Sequence, residues 1–164
     1  MFKKTAMLFF MAVSVVAVHA QEAVFSVKSL TPETALQAAK AALESCRKNG
    51  FQVAVAVVDR AGHTQVLLRD RFAGAHTVEA ATNKAWTAAS VRTSTTLLAA
   101  ETLAGKSMSG LRGISKFVAA PGGLPIEGSG ASLGGIGVSG APGGDADEAC
   151  AKAGIKTIAD AIEF

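Results

Sequence analysis

In "LTPETALQAAKAALESCRKNG", the apolar positions Leu36, Ala39, Leu43 and Cys46 recur at helical spacing and share one face. Both ends are marked: Thr31 stands as N-cap with Pro32 at the first helical position, and Asn49-Gly50 follow the basic pair Arg47 and Lys48. The period then changes. "FQVAVAVVD" is apolar at nearly every residue, as in a central strand covered on both faces, and "TQVLLRD" returns as a second strand after the turn "RAGHT". "HTVEAATNKAWTAAS" reverts to helical spacing, with Thr77 as cap and Val78, Ala81, Ala85 and Ala88 on one stripe.

"TSTTLLAAETLAG" predicts a second, short helix capped by Thr93, Ser94 or Thr95, and "KSMSGLRGIS" reads as irregular loop. Three candidate strands follow, "KFVAA", "LPIE" and "LGGIGVSG", separated by glycine-rich punctuation. A final helix is expected from Asp145 to about Ile162, with Asp145, Asp147 and Glu148 near its positive end. Hairpins on either side of a helical crossover predict an α+β domain, an antiparallel sheet of about five strands with helices on its faces.

The first twenty residues stand apart. A short basic lead, "MFKK", precedes the apolar run "TAMLFFMAVSVVAV" and the small-x-small site "VHA" before Gln21, so residues 1–20 read as a signal peptide and residues 21–164 as one exported domain. An apolar run of about fourteen residues is short of the ~20 that cross a bilayer. The expected location is periplasmic or secreted, with no membrane attachment after cleavage. Without Lys3 and Lys4 the net charge falls from +3 to +1, which argues against a nucleic-acid partner. The nitrogen and sulfur donors left are His63, His76, Met108, Cys46 and Cys150. In an oxidising compartment the two cysteines, on two predicted helices near opposite ends of the domain, suit a disulfide; two buried thiols are the alternative.

Residues 121–144, "PGGLPIEGSGASLGGIGVSGAPGG", hold ten of the seventeen glycines, and Gly130 to Gly134 fit G-x-S-x-G. A nucleophile elbow requires strand-turn-helix and a later histidine, and no histidine follows Ser132. A dinucleotide loop opens a helix, whereas these glycines join strands; a Walker loop requires a lysine, and 121–144 contains none. The remaining reading is that Gly134, Gly135 and Gly137 remove side chains so that a backbone, a helix or a flat ligand can approach.

Taken together, "VAVVDRAGH" with "LLRD", "EAATNKAWTAA" and "GGLPIEGSGASLGGIGVSGAPGGDADEACAKAG" resemble the GlcG/HbpS-like family, also called the haem-degrading domain family, from about Thr31 to Ile162. The resemblance implies a profilin-like five-stranded sheet with flanking helices, symmetric homo-oligomers, and haem or tetrapyrrole binding. It also implies that Lys84 and Thr87 face the ligand, that Gly122, Gly123, Leu124, Pro125 and Ile126 form the pocket loop, and that Arg69 or Arg71 aligns with the family's arginine.

His76, just before a helix, can project an imidazole into a cleft and supply an axial nitrogen to haem iron. His63 lies in a turn and suits the surface; Met108 suits packing. Lys84 and Arg71 or Arg69 can meet propionates or a small carboxylate. Trp86 suits core volume, and Glu79 with Glu101 or Asp70 forms a weaker carboxylate pair for iron. The expectation is an exported haem- or tetrapyrrole-binding protein for capture, buffering or sensing, with slow haem degradation as a side reaction, its pocket between the "HTVEAATNKAWTAA" helix and the "GGLPIE" loop. The chain lacks a convincing acid/base or nucleophile set, which argues against a dedicated enzyme. The rival is an enzyme or accessory factor acting on small organic acids of glycolate type.

Overall fold

The computed structural model describes residues 23–163; the expected signal peptide lies outside them. Helix α1 (Pro32–Lys48) starts where Thr31 Oγ1 accepts the Thr34 amide. Strands β1 (Ala54–Asp59) and β2 (Thr64–Arg69) form the hairpin, and the Asp59 carboxylate accepts the amides of Ala61 and His63 in its turn. Helices α2 (His76–Val91) and α3 (Thr95–Glu101) follow, then a 3-10 turn (Ser109–Gly113), strands β3 (Gly123–Gly128) and β4 (Ala131–Ser139), and helices α4 (Gly144–Lys156) and α5 (Ala159–Ile162). The sheet is antiparallel with order β2-β1-β4-β3.

Four strands are present among the described residues, not five. "KFVAA" forms none, because its backbone is tied to a helix side chain: Thr87 Oγ1 accepts the Val118 amide and donates to the Lys116 carbonyl. Two further expectations change. Thr77 is not the cap of α2; it sits inside the helix, buried, and its hydroxyl donates to Gly74 O. The last helix breaks after Lys156, where Thr157 Oγ1 donates to Gly154 O while Gln37 holds the Thr157 carbonyl from α1. A β-branched residue that bonds its own backbone competes with helix continuation. The third cap was among those named, Ser94, whose Oγ accepts the Leu97 amide.

The two faces of the sheet differ in kind. Val53, Val55, Val57, Ile136 and Val138 meet α1 and α4 in the main core, closed by Leu43, Ala151 and Ile158. Ala54, Ala56 and Val58 meet Ala81, Ala85 and Ala89 of α2 on the other face. There β4 presents glycine. A Cβ on Gly137 would lie 2.1 Å from Ala81 O, and one on Gly135 2.5 Å from Ala85 O, so only glycine lets α2 lie this close.

Cys46 of α1 and Cys150 of α4 form a disulfide, both sulfurs buried, with Cα atoms 5.5 Å apart and a sequence separation of 104. A loop of that length constrains the unfolded chain by roughly 4–5 kcal/mol in the chain-entropy model. Urea unfolding of the Cys46→Ala, Cys150→Ala double variant is therefore expected to show a loss of about 4 kcal/mol with the fold retained; a loss under about 1 kcal/mol contradicts this role.

Candidate functional site

Where β1 begins and β4 ends, Ala54 pairs with Ser139, and the chain on both sides leaves the sheet. A cleft of about 400 Å³ opens there. Phe51 and Gln52 form one wall, Ser139 to Pro142 and Asp147 a second, and Phe72, Gly74, His76 and Thr77 the third. Gly140, at φ 131°, allows the first two walls to touch, since a Cβ there would lie 2.6 Å from Gln52 O.

The third wall is a loop held at every turn. Asp70 is buried; its carboxylate accepts two bonds from Arg47, at 2.7 and 2.9 Å, and the Arg71 amide, while its own amide donates to Val53 O. The Arg47 guanidinium holds the Asp70 carboxyl below the usual carboxylate range. Arg69 donates to Ala73 O, and the Thr77 amide and hydroxyl both reach Gly74 O. With its backbone fixed in this way, the loop turns two rings outward: Phe72 is 80% exposed, and His76 is exposed over Gly74, where a Cβ would lie 2.8 Å from its Cε1. Among the described residues the His76 imidazole and the Arg71 guanidinium make no hydrogen bond.

Beneath the second wall lies an ion pair. Lys84 Nζ donates to Asp147 Oδ2 and to Val138 O, both at 2.9 Å, and Asp147 Oδ1 accepts the Ala141 amide at 3.0 Å. Both residues are buried, at 5% and 4% exposure. A buried charge of this kind must be paired, and this pair ties α2, β4 and α4 together under the cleft. Gly122, at φ 114°, covers it: a Cβ there would lie 2.7 Å from Asp147 Cβ and 3.0 Å from Lys84 Nζ.

The structure therefore distributes the predicted site residues unevenly. His76 lines the cleft, and Arg71 is next to Phe72 on its rim loop. Lys84 has its ammonium turned inward to Asp147 instead of toward a ligand, because leaving it unpaired inside the protein would cost more than the pair. Thr87 is fully buried and anchors residues 116–118. Gly122 and Gly123 pack against α2 without a cavity between: Thr95 Oγ1 bonds both the amide and the carbonyl of Gly123, and a Cβ on Gly123 would lie 2.6 Å from Lys84 O. Leu124, Pro125 and Ile126 belong to edge strand β3, paired with β4. The opening thus lies at the start of α2, away from the "GGLPIE" segment.

Other candidates fall outside the cleft. His63 is exposed in the β1–β2 turn beside Asp59, and Trp86 packs on that turn, where a Cβ on Gly62 would lie 2.7 Å from its ring. Met108 precedes the 3-10 turn, Glu79 and Glu101 are exposed, and the described residues contain no cluster of three or more His, Cys, Asp or Glu suited to a metal ion. Sequence reasoning missed Phe72, Gln52 and Asp147. A phenylalanine inside the polar "RDRFAGAH" and a glutamine opening an apolar strand were the available signals.

A model of the haem-degrading protein HbpS-like family matches residues 30–156. The chain belongs to the HbpS-like family. Among solved structures, a double mutant of Streptomyces reticuli HbpS is 40% identical, with a TM-score of 0.79 over 90% of this chain and 98% of that one. The PduOC:haem complex is 30% identical, with a TM-score of 0.75 over 79% and 95%. Klebsiella pneumoniae ORFY is 26% identical, with a TM-score of 0.80 over 84% and 96%. No curated protein matches the chain at a significant level.

The buried pair generates a stability test. Lys84→Met leaves the buried Asp147 charged without its cation, so urea unfolding is expected to show a loss of about 3–5 kcal/mol. Adding Asp147→Asn, which keeps an acceptor for the Ala141 amide, should recover part of that loss. A single-variant loss below about 1 kcal/mol would instead be the behaviour of a solvated surface pair.

Proposed function

We propose that the chain, exported and freed of residues 1–20, binds haem or a related tetrapyrrole in the cleft beside α2. The observation that carries this reading is the pair of exposed rings on a fixed loop, the Phe72 ring and the His76 imidazole, the latter with no hydrogen bond among the described residues. A neutral imidazole nitrogen is a ligand for haem iron, and an aromatic face beside it suits a flat apolar ring. The residues present fit such a group: His76 would hold the iron, Phe72 would lie against the macrocycle, and Arg71 would meet a propionate. Kinship with the HbpS-like family and with the PduOC:haem complex supports the same reading.

When bound, haem supplies redox-active iron, and slow oxidative breakdown of the ring is chemistry of that group. The role of the protein's own residues is to orient and shield. The loop bonds at Asp70, Ala73 and Gly74 keep the imidazole in place, and the Phe51–Gln52 wall limits solvent access from the sheet side. The reading extends to capture, buffering or sensing in the periplasm or outside the cell, and to a homo-oligomer that would cover exposed Leu97 and Leu103. The rival, a site for a small organic acid, loses its strongest cation to the Lys84–Asp147 pair.

Haemin titration followed at the Soret band tests the reading. His76→Ala is expected to weaken binding at least about tenfold and change the band position, and Phe72→Ala to weaken it without changing ligation. An unchanged Soret shift in His76→Ala, or thermal stabilisation by glycolate with no response to haemin, overturns it.

A further inference from the structure

The Cys46–Cys150 disulfide stands among the bonds that set all three walls of the cleft. Cys46 O accepts the amides of Asn49 and Phe51, both at 3.0 Å, so the turn that delivers the Phe51–Gln52 wall hangs from this cysteine. The next residue, Arg47, holds the buried Asp70 carboxylate with two bonds, and Asp70 fixes the Arg71 and Ala73 amides of the Phe72–His76 wall. On α4, Cys150 follows Asp147 by three positions and shares its buried face, and Asp147 accepts the Lys84 ammonium and the Ala141 amide in the remaining wall.

Farther from the cleft, α1 and α4 approach each other through small residues. A Cβ on Gly154 would lie 2.6 Å from Ala38 O and 3.0 Å from Ala42 Cβ. With Gly154 beside Ala38 and Cys150 bonded to Cys46, the two helices run antiparallel, and the disulfide is the contact on the cleft side. Glycine against alanine offers no side-chain ridge to stop one helix sliding along the other. A covalent bond with Cα atoms 5.5 Å apart fixes both separation and register.

A ligand met from several sides at once binds more tightly when its walls are already in place, because binding is then not opposed by the entropy of ordering them. We propose that the disulfide is a positioning element of the cleft, setting the mutual placement of its three walls and so its affinity, beyond its effect on global stability. The inference rests on the reading of this cleft as the haem site. Thiol–disulfide exchange with a dithiol, which leaves two protein thiols and oxidises the dithiol to its own disulfide, is then expected to loosen the site.

Amide hydrogen exchange and haemin titration of Cys46→Ala, Cys150→Ala are to be compared with Ile158→Ala, which opens the same core beyond the far end of α4 with the disulfide intact and lowers stability to a similar extent. The Phe51, Arg71 and Ala141 amides are expected to exchange at least about tenfold faster in the double variant than in Ile158→Ala. Haemin affinity, measured on folded protein, is expected to fall at least about fivefold in the double variant and less than about twofold in Ile158→Ala. Wild-type protein refolded in dithiothreitol, with two thiols in place of the bond, supplies the exchange comparison where the double variant does not fold. Exchange needs no ligand, so a wild type that fails to bind haemin sinks the haem reading alone and leaves this comparison decisive. Equal exchange at the three amides in the two variants, or an equal loss of haemin affinity in both, overturns the proposal.

Discussion

Between helix α2 and strand β4 there is room for hydrogen atoms and little more, since a methyl group on Gly135 or Gly137 would collide with the carbonyls of Ala85 and Ala81. The contact is made mostly by alanine on the helix and by glycine, alanine and Val58 on the sheet. Such an interface buries little apolar volume per residue and gains from many close atom pairs across a long contact, so it tolerates added side chains poorly. The opposite face, with its valines, isoleucines and disulfide, is an ordinary core that supports the sheet from the side of α1 and α4.

The cleft depends on that approach. Only a helix lying this near the sheet brings the Lys84 ammonium within 2.9 Å of Val138 O and of the Asp147 carboxylate, beneath Gly122. Asp147 in turn fixes the Ala141 amide, so the loop between β4 and α4 is set by a charge on α2. At its other end α2 begins where Gly74 O is bonded twice by Thr77, which sets the direction of the neighbouring His76. Arg47 and Asp70 close the arrangement from α1, so the exposed rings stand on a rigid mount.

Much of this was legible in the chain. The alternation of glycine with apolar residues in "LGGIGVSG" announced a strand approached closely on one face, and the continuous apolar run of β1 announced burial on both. The pairing of Cys46 with Cys150 was also within reach, whereas His76, expected just before the helix, is the first residue of α2. What failed did so for identifiable reasons. Periodicity cannot tell a strand from an extended segment hung on a side chain, as with residues 116–120 and Thr87. Nor can it show that Lys84 and Asp147, 63 positions apart, are each other's partners; from the chain Lys84 reads as ligand-facing and Asp147 as an acid at the positive end of a helix. The cleft lies accordingly at the loop that α2 leaves open and not at the glycine pair that α2 covers.

The most direct test places a methyl group in the contact. Gly137→Ala and Gly110→Ala, the latter with nothing within 4 Å of the added Cβ, can be compared by urea unfolding and by the amide spectrum of residues 139–142. A loss of about 3 kcal/mol or more is expected for Gly137→Ala, with shifted amides at Ala141, against a change within about 1 kcal/mol for Gly110→Ala. Equal stabilities, with the Ala141 amide unmoved, would mean that α2 does not rest on β4 through the missing side chains.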